Sequence, residues 1–189
     1  MNRIKIIQTA TILFAKYGIE AVSITLIAKE ANVSEQAVEA EFNGMEQLLV
    51  ACVQREIEML ETDVADAVSQ AQSSLELLID AVSTVFAGLS RFCAAFYSDL
   101  VKFPLVHKQM TSFKEKFHNS CIGYFRDCEK DDFFSSDFFN MESAASFCIE
   151  TFGNMEYKYQ AKMIRIFLKS ISTKKGVREI NRIDNEHIF

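Results

Sequence analysis

Glu115 and His118 stand three apart on what reads as one helix, forming the Glu-x-x-His half of a carboxylate-bridged di-iron site. Such a site needs a second copy of the motif and two further carboxylates from neighbouring helices. Asp184 and His187 repeat the spacing, but in the C-terminal tail. One half-motif on a Lys-rich helix is ordinarily charge pairing along a solvated surface, so no metal or other cofactor is expected. The five cysteines, Cys52, Cys93, Cys121, Cys128 and Cys148, are odd in number and lack a CxxC pair. They imply neither a disulfide framework nor a zinc site, and a reducing, cytoplasmic setting suits them. Phosphate-cradling glycine loops, a nucleophile elbow and HExxH are all missing from the sequence. An enzyme is not expected.

The remaining polar chemistry lies near the N-terminus, where Ser23, Thr25, Ser34, Gln36, Glu35, Glu39 and Glu41 cluster around two short helical patterns. Hydroxyls and amides at helix starts can reach a phosphate backbone or base edges, and a glutamate can accept from cytosine N4. Periodicity locates the elements that would position them. Ile4, Ile7, Ala10, Leu13 and Phe14 recur at spacings of three and four, so a first amphipathic helix is expected to end at Gly18. Ser23 is placed to cap a short second helix carrying Ile24, Ile27, Ala28 and Ala31, and Asn32-Val33 to form a tight turn. Ser34 then caps a third helix, with Val38 and Phe42 facing inward. Three short helices with a tight turn between the last two read as a helix-turn-helix.

The fold class expected is all-α: a three-helix head over residues 1–47 and a larger helical bundle over 48–189. With 49% hydrophobic and 24% charged residues and a single Pro, little of the 189-residue chain reads as linker. A long helix from Met45 to about Ser69 connects head and body, with Leu48, Leu49, Cys52, Val53, Ile57 and Leu60 on one side. Of 17 phenylalanines only Phe14 and Phe42 precede Phe86, which places a large aromatic core in the body. The most apolar stretch, Leu75 to Tyr97, reads as a buried helix; its longest uncharged run, Ala81 to Ser90, is too short to span a bilayer. No signal peptide is expected in residues 1–20. Pro104 should break a helix near Lys102, and Lys130 to Ser136 should form a loop, with Asp137 capping the next helix. Beyond Lys174 a solvated tail is expected.

Ile6-Ile7-Gln8-Thr9-Ala10-Thr11-Ile12-Leu13-Phe14-Ala15-Lys16-Tyr17-Gly18 resembles the first helix of the TetR family of regulators. The likeness continues through Ser23-Ile24-Thr25-Leu26-Ile27-Ala28-Lys29-Glu30-Ala31-Asn32-Val33-Ser34, then Phe42 and Glu46-Gln47-Leu48. The resemblance implies a homodimeric transcriptional regulator with operator DNA as partner and a small hydrophobic effector in the body. On it, Ser23, Thr25, Ser34, Gln36, Ala37 and Glu39 are the candidate DNA contacts. The family's third helix reads roughly Gly-Thr-Leu-Tyr-x-His-Phe, whereas this chain has Gln36, Ala37, Val38, Glu39, Ala40, Glu41 and Phe42. A lysine common at the start of the fourth helix is Met45 here, and a threonine common ahead of the second-helix cap is Val22.

Residues 1–47 hold four basic against six acidic side chains, a local balance of −2, within a chain of formal charge −6. No Lys or Arg occurs from Glu30 through Gln54. Glu35, Glu39 and Glu41 are thus atypical acids where a polyanion should sit, although helix propensity and the helix dipole account for them on a solvated face. The alternative reading is a relative that has lost operator binding and acts through protein contacts. Effector-pocket candidates are Phe92, Phe96, Tyr97, Phe103, His107, Phe113, Phe117 and Tyr124; ordinary core explains the same cluster. For the dimer, the candidates are Ala145, Cys148, Phe152, Tyr157, Ala161, Ile164, Leu168 and Ile171. Packing of that stripe on the chain's own core stands beside it.

Overall fold

The computed structural model describes residues 2–135, 140–152 and 156–186. Among them lie ten α-helices: α1 (Asn2–Tyr17), α2 (Ile24–Ala31), α3 (Glu35–Glu41), α4 (Met45–Gln70), α5 (Ser74–Leu89), α6 (Ala94–Asp99), α7 (Pro104–Lys130), α8 (Met141–Phe147), α9 (Tyr157–Ile171) and α10 (Lys174–Glu186). A 3-10 turn, Leu100–Lys102, follows α6, and a π-helical turn, Cys148–Phe152, extends α8. The described residues contain no strand; Phe134 and Ser172 form an isolated bridge. No single helix among them is long and apolar enough to cross a membrane.

The chain divides into two compact units, Met1–Met59 with Arg91–Phe113, and Leu60–Ser90 with Lys114–Phe189. In the first, α1 packs on α2, α3 and α6. Its core is built from Ile6, Ala10, Phe14, Ile27, Ala31, Val38, Leu48 and Leu49, all buried. Gly18 ends α1 at φ +85, and its amide donates to the Phe14 carbonyl at 3.0 Å. A Cβ there would stand 2.8 Å from the Ala95 Cβ, so close approach and left-handed backbone both require glycine.

In the second unit α5 packs against α9 and α10, burying Leu75, Leu78, Ile79 and Val82 with Ile164, Leu168, Ile180 and Ile183. Gly88 on α5 lies against the side chain of Leu60, which fills the space a Cβ would take.

Two expectations change. The apolar stretch Leu75 to Tyr97 is not one helix: α5 stops at Leu89, and the amide of Cys93 donates to the Ala15 carbonyl of α1 instead, at 2.9 Å. The tail beyond Lys174 is not solvated coil. It forms α10, capped by Thr173 Oγ1, which accepts from the Gly176 amide at 3.1 Å, with Ile180 and Ile183 fully buried. Arg182 of α10 pairs with Glu76 at 3.0 Å and with Glu179 at 2.8 Å, so charge read as belonging to a loose tail is structural. The N-cap of α8 is Asn140, whose Oδ1 accepts from the Ser143 amide at 3.0 Å, while Asp137, for which a capping role is expected, lies outside the described residues. Pro104 acts as expected, opening α7 directly after the non-helical Phe103.

Candidate nucleic-acid interface

The two helices that would meet a nucleic acid are held by matched caps. Ser23 Oγ accepts from the Leu26 amide and Ser34 Oγ from the Ala37 amide, each at 3.1 Å. Between them Asn32 takes the left-handed conformation at φ 52, with its amide closing on Lys29 at 3.1 Å and that of Val33 on Ala28 at 3.0 Å. These caps and the buried Ile27, Ala28, Ala31 and Val38 fix the helix-turn-helix and leave Ser23, Thr25, Ser34, Gln36 and Glu39 exposed, with Ala37 half-buried. Five of the six candidate contacts thus stand in solvent.

The electrostatics of the module are set by where its few cations go. Arg3 donates to the Glu41 carbonyl at 2.9 Å, lies 3.8 Å from the Glu41 carboxylate, and stacks over Phe42 with 4.3 Å to the ring centroid. It complements the negative C-terminal end of α3 and anchors that helix to α1. Lys16 stands over the ring of Tyr17 at 4.9 Å, and the hydroxyl of Tyr17 raises the lysine's pKa above its ordinary 10.5. Glu35 and Glu39 lie exposed on a helix that holds no cation. Glu41, half paired with Arg3, is exposed as well.

Sequence reasoning missed Asp99, the last residue of α6 and a buried one. Its Oδ2 accepts from the amides of Ile19 at 2.8 Å and Glu20 at 3.0 Å, pinning the turn between α1 and α2. No local pattern announces a contact 80 residues away; an aspartate at a helix end reads as a surface residue. Lys102 pairs with Glu20 at 2.5 Å beside it.

The other candidates are dispersed. Phe92, Phe96, Tyr97, Phe103, His107 and Phe113 belong to the first unit, Phe117 and Tyr124 to the second. Phe92 and Phe96 touch with ring centroids 4.4 Å apart, and Tyr97 meets Phe96 edge-on at 5.5 Å. Phe96, Phe113 and Phe117 are buried, Phe92, Tyr97, Phe103 and Tyr124 partly so, and His107 is exposed. Burial pushes the Tyr97 hydroxyl up to about 12, so it stays a neutral donor.

Ala145, Cys148, Phe152, Ile164, Leu168 and Ile171 are buried within the single chain, and Ala161 is exposed; the Tyr157 side chain lies outside the described residues. Six of the eight proposed interface residues therefore face their own core, the second of the two readings. The apolar side chains that α8 and α9 leave in solvent are Phe147 (45%), Tyr159 (52%), Met163 (36%) and Ile166 (51%).

His118 Nε2 lies 2.8 Å from Ser146 Oγ while Glu115 is exposed, and Asp184 pairs with Lys169 at 3.1 Å and with Arg165. The described residues hold no group of three potential metal ligands; His187 lies outside them.

Residues 6–52 match the model of bacterial regulatory proteins of the tetR family. No curated protein matches the chain. Among solved structures, a transcriptional regulator from Saccharomonospora viridis in complex with choline is similar over 91% of this chain and 98% of its own, with TM-score 0.79 and 15% identity. The ketosteroid transcriptional regulator KstR2 of Mycobacterium tuberculosis is similar over 92% and 96%, with TM-score 0.71 and 15% identity. A structure described as the superantigen pfit is also similar, over 91% and 89%, with TM-score 0.69 and 11% identity. At these identities the likeness is one of fold.

Proposed function

From a tetR-family head at residues 6–52 and a chain-length likeness to the fold of transcriptional regulators, we propose that this protein is a TetR-like transcriptional regulator acting in the cytoplasm. The observation that carries the reading is the head itself: a helix-turn-helix capped by Ser23 and Ser34 that presents Thr25, Gln36 and Glu39 on its solvent face. We further propose that residues 1–47 are the DNA-facing head and the rest the effector and dimerisation body. A homodimer joins through α8 and α9, with the seam on Phe147, Tyr159, Met163 and Ile166; the last three repeat at spacings of four and three, as a helix-on-helix seam requires. A small, largely apolar effector held among the body aromatics would shift the balance between head arrangements.

A second reading has its own support. Glu35 and Glu39 stand exposed on α3, and Arg3 is held by Glu41 and Phe42. Such a head opposes a polyanion, and in this reading the protein regulates by binding a basic protein partner.

Titration of the purified protein against genomic fragments that include its own upstream region, at low and moderate salt, separates the two. Saturable, sequence-selective binding supports the operator reading. A folded dimer that binds no fragment even at low salt refutes it in favour of protein contacts.

A further inference from the structure

The outer face of α1 carries a groove that the helix-turn-helix does not use. It is an open groove of about 670 Å³ between α1, the middle of α4 and the segment at Arg91-Phe92, all within the first unit. That size falls in the range of small-molecule sites, roughly 300 to 1,000 Å³. Its apolar lining is Ile12, Ala15, Met59 and Phe92. Ile12 is 66% exposed, an apolar side chain on the face of α1 opposite Ile6, Ala10 and Phe14.

The charge around this floor is mostly positive. Lys16, Arg55 and Arg91 line it against the single carboxylate of Glu56, which Arg91 already holds at 2.9 Å. Arg55 is half-buried and makes no hydrogen bond or ion pair among the described residues. A guanidinium partly withdrawn from water and left unpaired forgoes the bidentate bond that a carboxylate supplies. In a chain of formal charge −6, a cationic apolar groove is a local exception to the overall balance.

We propose that this groove binds an amphipathic monoanion, an apolar chain or ring ending in one carboxylate, with the hydrocarbon on Ile12, Ala15, Met59 and Phe92 and the carboxylate on Arg55. A docked acidic helix is the other occupant such a groove could take, and the single unpaired guanidinium of Arg55 matches one carboxylate better than the several charges of such a helix. The bound molecule would bridge α1 and α4 beside the existing hydrogen bond from Cys93 to Ala15, tightening the frame that carries the head. Binding here does not require that the head grip DNA.

The test uses the full-length protein with 13C-labelled Ile and Met methyls, titrated with decanoate, with decanol as the uncharged arm and acetate as the chainless arm. Decanoate should move the Ile12 and Met59 methyl signals saturably; decanol should bind at least about tenfold more weakly and acetate should not register. Arg55→Gln should weaken decanoate about tenfold, and Arg55→Lys should recover part of the loss. If Arg55→Gln unfolds, Met59→Gln replaces it, removing apolar lining while the guanidinium remains. Decanoate that leaves Ile12 and Met59 unmoved while shifting methyls of the body overturns the proposal. So does equal binding of decanol, unchanged affinity in a folded Arg55→Gln, or a response to an acidic amphipathic peptide alone.

Discussion

Replacing Glu35 and Glu39 together by Gln tests whether the sign of charge on α3 governs this head. Both carboxylates are exposed on α3, which contains no cation to offset them. A carboxylate about 6 Å from a phosphate, at an effective dielectric of about 40, is repelled by roughly 1.4 kcal/mol before screening. With a Debye length of about 30 Å at 0.01 M and about 10 Å at 0.1 M, this falls to roughly 1.1 and 0.8 kcal/mol respectively. For two sites the gain on neutralisation is about 2.3 kcal/mol at the lower salt and about 1.5 kcal/mol at the higher, or roughly 50-fold and 10-fold in affinity. Fluorescence anisotropy on a labelled random-sequence duplex reads this directly, with circular dichroism as the control. The control matters because Glu35 sits in the first turn of α3 and its loss costs the helix about 0.3 to 1 kcal/mol. A folded double variant whose affinity rises less than twofold at low salt refutes the reasoning. Weaker and less selective binding by the variant would mean that these glutamates read base edges, as a cytosine amino group permits.

Three further outcomes rest on particular contacts. Asp99→Ala strips the acceptor from two amides, one of them buried; it should cost about 2 to 4 kcal/mol in urea unfolding and accelerate hydrogen exchange at Ile19 and Glu20, with Asp99→Asn intermediate. Unaltered exchange at both amides would contradict the pinning role. On α9, Ile166→Glu should yield a folded monomer by light scattering, whereas Leu168→Glu, which buries a charge at a position 1% exposed, should cost more than about 3 kcal/mol and unfold much of the protein; a dimeric Ile166→Glu rules out this face. Glu179 is held below the ordinary glutamate value of 4.5, chiefly by the Arg182 hydrogen bond and also by the hydroxyl of Ser73. A depressed carboxylate stabilises the fold above its unfolded-state value and loses that contribution as pH falls through the folded one. The urea midpoint should therefore drop on acidification below 4.5, and by less in Glu179→Gln than in the parent.

How much was legible in the chain depended on whether a residue's partner lay nearby in sequence. Gly18, Ser23, Ser34 and Pro104 act within one helical turn, so helix ends in the first unit were readable from residue type alone. Asp99 acts on a turn that precedes it by 80 residues, and Arg182 on a carboxylate 106 residues earlier, so neither role has a local signature. The end of the chain at α10 failed for a different reason. Val177, Ile180 and Ile183 do repeat at three, but dense charge between them masked the stripe until burial of Ile180 and Ile183 identified it. On α9 the difficulty was ambiguity. Ile164, Leu168 and Ile171 rise at four and three, and so do Tyr159, Met163 and Ile166; periodicity finds both faces, and only the packed chain says which is core.

That same division separates what holds the head together from what it presents. The caps and buried apolar residues of α1 to α3 make their contacts inward, and Gln36, Glu39 and Ala40 stand exposed outside them. Arg3 reinforces this separation. By meeting the carbonyl and carboxylate of Glu41 and the face of Phe42, it stabilises α3 against α1 with a guanidinium that is then engaged before any phosphate arrives. A phosphate recruiting Arg3 must break those contacts and release the Glu41 carboxylate beside itself. Cohesion of the head and attraction to a polyanion are therefore opposed at this residue. On the operator reading, contact with a phosphate backbone would fall to the hydroxyls, amides and backbone N–H groups at the starts of α2 and α3, more than to side-chain cations.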